Sequence, residues 1–255
     1  MRKMLIPLSL AALVTPLFTT PALAEDGGDG VESEVFAQRD IVLEKGLIRP
    51  EGVLGFSKYP GNDEIFVQIF AGADWAPIKN LQVGALAVPF TLSPETEYGN
   101  PRLYARYRVL DGALQLAPEL GFTFNGANIL DLGLPIQFTI NKAAYLRVAP
   151  TLSVDLKAKE DRLSLYIPVS LAISATRNIY AAIHTALNVP AFDFDFASIP
   201  LGLEVGYSIG KGDAAYADLF LQLEFPSFLT PNGTETLNAD SFMVGLGGRF
   251  HFGLE

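Results

Sequence analysis

Residues 143–175 read AAYLRVAPTLSVDLKAKEDRLSLYIPVSLAISA. Even positions from Ala144 give Leu146, Val148, Pro150, Leu152, Val154 and Leu156, while the odd ones give Tyr145, Arg147, Ala149, Thr151, Ser153, Asp155 and Lys157. After the break Ala158-Lys159-Glu160-Asp161 the alternation resumes with its parity switched, Leu163, Leu165, Ile167, Val169, Leu171 and Ile173 on one face against Ser164, Tyr166, Ser170 and Ser174 on the other. Side chains of a strand point alternately to its two faces, so this is an antiparallel hairpin with one apolar and one polar side. Each arm exceeds the ~5 to 6 residues of an ordinary strand and matches the ~9 to 11 that a tilted strand needs to cross a bilayer.

The same unit repeats. Twelve candidate strands follow from Ile48 onward, separated by Gly, Asn, Asp, Pro and Lys. They run Ile48–Lys58, Glu64–Ala76, Leu81–Leu92, Pro101–Leu110, Leu114–Asn125, Ile129–Asn141, Ala143–Lys157, Arg162–Ala175, Ile179–Val189, Ile199–Ile209, Ala215–Phe225 and Ser241–Phe252. Two of them read ambiguously. In the third, Leu86, Val88 and Phe90 are out of phase with Val83, Ala85 and Ala87; Lys211 to Glu224 also fits a short helix, with Ala217, Leu219, Leu221, Leu223 and Phe225 favouring a strand.

The ends of the chain supply context. Arg2 and Lys3 precede an apolar run from Met4 to Phe18 and then Pro21-Ala22-Leu23-Ala24, the form of a cleaved secretory signal over residues 1–24. Residues 25–47 open with the acidic, Gly-rich EDGGDGVESE and are expected as a flexible periplasmic leader, of which Val35 to Gly46 can pack against a barrel mouth. Residues 48–255 form the third unit, the barrel. No later stretch has eighteen consecutive apolar residues, so a membrane form has to be a closed barrel. The chain lacks cysteine, which excludes disulfides and thiolate metal sites, and its formal net charge of −10 argues against nucleic acid.

Alternation alone suits a soluble β-sandwich equally well. The aromatic residues decide for lipid: Trp75, Tyr107, Phe138, Tyr207, Phe250 and Phe252 fall at one end of the apolar faces, and Phe56, Phe122, Phe124, Phe225 and Phe242 at the other. Two aromatic girdles around an aliphatic band mark a lipid-facing barrel wall.

On this pattern the chain resembles the Gram-negative outer-membrane β-barrel class, over about Ile48 to Glu255. The resemblance implies an all-β, antiparallel up-and-down barrel of about twelve strands in the cell outer membrane, with both termini periplasmic. It also implies contact with outer-membrane lipid and lipopolysaccharide, and insertion by the barrel-assembly machinery. The last strand, with Phe242, Val244, Leu246, Gly248, Phe250 and Phe252 on one face, resembles that machinery's signal but continues to Gly253-Leu254-Glu255.

Turning the polar faces inward gives candidate lumen residues for solute selectivity: Arg102, Arg106, Arg108, Glu119, Asp131, Arg147, Asp155, Glu204, Asp218, Glu224 and Arg249. Opposed basic and acidic walls would orient small polar or ionic solutes in a narrow pore. The same charges could instead pair and hold a closed structural or surface-interaction barrel together. A hydrolase of outer-membrane lipid is a third class, for which His184 and Asn188 share a face without a serine that the sequence places beside them. No catalytic, cofactor or metal motif stands out: His184 and His251 lack metal-ligand spacing, and there is no G-x-S-x-G elbow. The connections are short, the longest being Pro226 to Asp240, which leaves little room for a folded plug or a large lid.

Overall fold

The computed structural model describes residues 32–59, 64–124, 126, 128–211, 214–230 and 240–253. The signal expected over 1–24 lies outside these residues, as does most of the loop expected over Pro226 to Asp240.

All twelve expected strands form one closed antiparallel barrel. They are β1 (Leu47–Lys58), β2 (Phe66–Ile78), β3 (Leu81–Ser93), β4 (Arg102–Tyr107), β5 in two pieces (Leu114–Leu116 and Glu119–Thr123), β6 (Ile129–Gly133 and Ile136–Asn141) and β7 (Ala144–Val148 and Thr151–Asp155). The wall continues with β8 (Leu163–Ser174), β9 (Ile179–Val189), β10 (Ile199–Lys211), β11 (Ala214–Leu229) and β12 (Phe242–Phe250). Each strand pairs with its neighbours in sequence, and β12 returns to β1, with Leu246 opposite Leu54 and Arg249 opposite Glu51. Closure leaves no strand edge open, the condition for crossing lipid with strands.

Both sequence ambiguities have a local cause. In β3, Val88 pairs with Ala71 and Leu86 with Gly72, so Ala87 is an extra residue without a partner. That bulge reverses the parity of everything beyond it. The segment from Lys211 is strand, not helix, and β11 runs on to Leu229, past the expected end at Phe225.

The two-piece strands are split at prolines. Pro118, Pro135 and Pro150 cannot donate to the ladder, yet their carbonyls still accept. Tyr107 donates to Pro118, Ala117 to Pro135, Leu134 to Pro150 and Ala149 to Pro168, at 2.9–3.1 Å, which forms an oblique seam across β4 to β8.

Burial alternates along the strands with the inside buried and the outside exposed. Leu103, Leu120, Leu132, Leu221 and Leu246 are exposed on the outer wall, and Arg106, Gln115, Arg147, Asp218 and Arg249 are buried inside. Trp75, Tyr107, Phe138, Tyr207, Phe250 and Phe252 are exposed at one end, and Phe56 at the other. The apolar stripes therefore do not pack against one another, which rules out the soluble sandwich and leaves an exterior suited to hydrocarbon.

Candidate functional site

The residues from Glu32 to Gly46 do not form a free leader. They cross the interior of the barrel at the mouth where the short turns lie, such as Lys79-Asn80 and Lys142-Ala143. The flexible segment expected over 25–47 is thus, over its described residues, part of the packed structure. The plug that the short loops seemed to forbid comes from the chain ahead of β1.

Its path can be followed from one wall contact to the next. Glu32–Ser33 is a two-residue strand paired with Ala214 and Ala215 at the start of β11. Glu34 accepts from Asn178 Nδ2 at 2.6 Å and pairs with Arg177 in the β8–β9 turn. A single 3-10 turn, Phe36–Gln38, then lays the Phe36 ring flat on Tyr180, with centroids 3.7 Å apart and planes 5° apart. Tyr180 can lie flat because Gly206 is its register partner: a Cβ there would come within 2.1 Å of the Tyr180 ring. The amide of Ala37 donates to Ser174 Oγ at 2.9 Å.

Arg39 is the anchor. Its guanidinium donates to both oxygens of Asp218, at 2.5 and 2.7 Å, and to Ser208 Oγ at 3.0 Å. Its backbone carbonyl accepts from Gln137 Nε2 at 3.0 Å. Asp40 takes Arg108 and Gln115 as partners; Ile41 donates its amide to Gln115 and accepts from Arg106 Nη1, both at about 3 Å. Leu43 donates to Gln82 at 3.0 Å, and Gly46 to the Ala76 carbonyl at 2.8 Å, after which β1 begins. Polar side chains from β3, β4, β5, β6, β8, β10 and β11 are therefore committed to this segment. Burial pushes the Glu32 carboxyl up to about 8 although Arg39 and Arg49 pull the other way. Burial likewise raises Asp40 to about 6 against the opposing pull of Arg108.

The eleven expected lumen charges separate into groups. Arg102 bridges Glu119 (2.7 Å) and Asp131 (2.9 Å), and Arg106 shares Glu119 at 2.5 Å. Arg249 joins Glu51 at 2.8 Å and Glu204 at 3.0 Å, with its guanidinium 4.0 Å above the Phe220 ring. Arg108 and Asp218 belong to the plug, and Arg147 lies over Tyr145 and bonds Gln137. Asp155 departs from the expectation: its carboxylate caps its own loop, accepting from the amides of Lys157 at 2.8 Å and Ala158 at 3.1 Å. Glu224 is buried in the opposite half of the barrel. Arg102, Arg106 and Arg249 are thus each paired with carboxylates one or two strands away.

Sequence reasoning missed Arg39, Asp40, Tyr180, Ser208 and Gln115 as members of one assembly. It also missed the serine beside His184, since Ser170 Oγ lies 2.9 Å from His184 Nδ1 as its register partner on the next strand. The remaining histidine, His251, contacts Asp218 at 3.0 Å.

No protein-family model matches the chain, and no curated protein matches it. Solved structures do. The NanC porin superposes with a TM-score of 0.60 at 8% identity, covering 80% of this chain and 98% of that one. The COG4313 outer membrane channel from Pseudomonas putida F1 gives 0.53 at 12%, covering 90% and 100%. The fold is that of the outer-membrane channels and porins. A KdgM porin in complex with disordered oligogalacturonate gives 0.56 at 7% identity, covering 81% of this chain and 99% of that one. At such identities these outer-membrane barrels share their architecture with this chain, and side-chain roles have to be argued from its own residues.

Proposed function

We propose that the protein is an outer-membrane channel for small polar solutes whose passage is closed by its own N-terminal segment. It sits in the outer membrane with the short turns and both termini on the periplasmic side, so that the segment guards the periplasmic mouth. The observation that carries this reading is the fully buried Arg39–Asp218 pair, which ties the segment to the barrel wall by side chains. A segment held by reversible polar contacts can leave the lumen without disturbing the ladders of the wall. The solved channels of this fold, one of them holding an oligosaccharide, support transport of small solutes.

A closed structural barrel is the second reading, favoured by the pairing of Arg102, Arg106 and Arg249 with nearby carboxylates. Liposome swelling separates the two. Proteoliposomes carrying the chain without residues 32–46 should swell in an isotonic neutral pentose several-fold faster than those carrying the complete mature chain. Equal, background rates for both would support the structural barrel.

A further inference from the structure

Beyond the segment, toward the mouth with the longer connections, the interior holds a carboxylate outside the ion pairing. Glu224 on β11 is 7% exposed, and none of the described residues forms an ion pair or hydrogen bond with its side chain. It belongs to a row that runs His184, Gly202, Glu224, Met243 across β9 to β12. Gly202 contributes no side chain, and the His184 side chain lies over it, with its Cβ 3.3 Å from where a Cβ of residue 202 would stand.

Two further groups near it are unmet. The Tyr166 hydroxyl is buried without a hydrogen-bond partner among the described residues, and Glu224 is the charged group that acts on it. Gln222, two residues before Glu224 and on the same inward face, has its Nε2 buried without a partner as well. Gly245 faces Gln222 across the ladder, and a Cβ there would stand 2.7 Å from that nitrogen. Buried polar groups are costly to leave unpaired, and three in one neighbourhood point to a ligand that completes them.

We infer that Glu224, Tyr166 and Gln222 form a binding site for a small organic ammonium ion that also carries a hydroxyl or carbonyl oxygen. The carboxylate takes the ammonium, the phenol hydroxyl offers a second acceptor, and the Gln222 amide donates to the ligand's oxygen. Arg102, Arg106 and Arg249 are already neutralised by their own carboxylates, so around Glu224 the interior favours a cation. The site names the solute class of the channel proposed above and rests on that reading for the ligand's route, though not for its binding.

The test is calorimetric titration of the refolded complete mature barrel in detergent with ethanolammonium chloride, beside ethylene glycol and sodium glycolate. Ethanolammonium should bind saturably, at least 10-fold more tightly than either control. Glu224→Gln should weaken it at least 10-fold and Tyr166→Phe about 3-fold, while Asp155→Asn leaves it unchanged, with heat-modifiable migration confirming that each variant is folded. Equal binding of glycol, no binding of ethanolammonium, or unaltered binding in folded Glu224→Gln overturns the site. Solute flux is read separately: a barrel that binds and never conducts sinks the channel, whereas one that conducts without binding sinks the site alone.

Discussion

Arg39 and Asp218 lie 179 residues apart and meet as a two-bond ion pair with both side chains at 0% exposure. Asp218 also accepts from Ser208 Oγ at 2.7 Å and contacts His251, so the wall holds the acceptor in place before the guanidinium arrives. Removing one partner of such a pair strands the other charge in a dry site, at a cost of about 3–5 kcal/mol. The barrel can avoid that cost by releasing the segment. Asp218→Asn should therefore leave the barrel folded and heat-modifiable while exposing Arg39 to trypsin, with cleavage at Arg39 at least 10-fold faster than in the unsubstituted protein. Equal protection in both would deny Arg39 its anchoring role.

The Phe36–Tyr180 stack depends on the absence of a side chain at residue 206. A methyl group there has to push the Tyr180 ring off the wall, and overpacking of this kind costs about 1–3 kcal/mol. Gly206→Ala should loosen the segment with β9 and β10 still paired. The check is amide hydrogen exchange, which should rise at Ala37 and stay slow in the neighbouring strands. Unchanged exchange at Ala37 would show that the stack contributes nothing.

Seating of the segment should weaken as pH rises. Glu32 goes from an ordinary 4.5 to about 8 on burial, facing Arg39, Arg49, Asp40 and Asp218, and Asp40 goes from 3.8 to about 6, facing Arg108, Asp111 and Gln115. Both values are raised, so the seated form holds protons that the free segment releases. The contribution is complete below about pH 4 and is lost as pH climbs through 6 and then 8. Current recordings should show more frequent conducting events at pH 8.5 than at pH 5, and Glu32→Gln should flatten the part of that rise above pH 6. A fall in conducting events with rising pH would contradict the assignment.

The outer wall makes its own prediction. Leu246 stands mid-strand on β12, 62% exposed, between Leu54 and Leu221 on the adjoining strands. If that surface meets hydrocarbon, Leu246→Arg should cost about 2–4 kcal/mol when folding into bilayers is measured by denaturant titration. A loss below about 0.5 kcal/mol, the scale of a water-facing substitution, would remove lipid from the outside.

How far the chain could be read from its residues followed from the range of the interactions. The alternation from Ala143 to Ala175 is local, and it led to the hairpin, the parity of the wall and the count of twelve strands. The slip between Leu86 and Val88 was visible as a broken period, but its cause lay in the pairing with β2, where Gly72 takes Leu86 and Ala71 takes Val88. The segment from Val35 to Gly46 has no period because, past the single 3-10 turn at Phe36–Gln38, it is neither helix nor strand. The residues from Phe36 to Leu43 are fitted to successive parts of the wall, and the side-chain partners of Arg39 and Asp40 lie on β10, β11 and β5 and just past the end of β4. Its one local signal was composition: apolar Phe36, Ile41 and Leu43 interleaved with Arg39 and Asp40, directly after an acidic stretch. The charges inside the barrel were identified by parity; their pairings followed from register and tilt, which no single strand encodes.

The most direct test of the closed lumen uses the absence of native cysteine. The Ala37 amide lies 2.9 Å from Ser174 Oγ, so the two residues adjoin across the seat of the segment. In the protein carrying Ala37→Cys and Ser174→Cys, oxidation should produce a nearly complete intramolecular crosslink. Conducting events in planar bilayers should then disappear and return on reduction. Failure to crosslink in a folded, heat-modifiable barrel, or conduction unaffected by the crosslink, would contradict a lumen closed by residues 32–46.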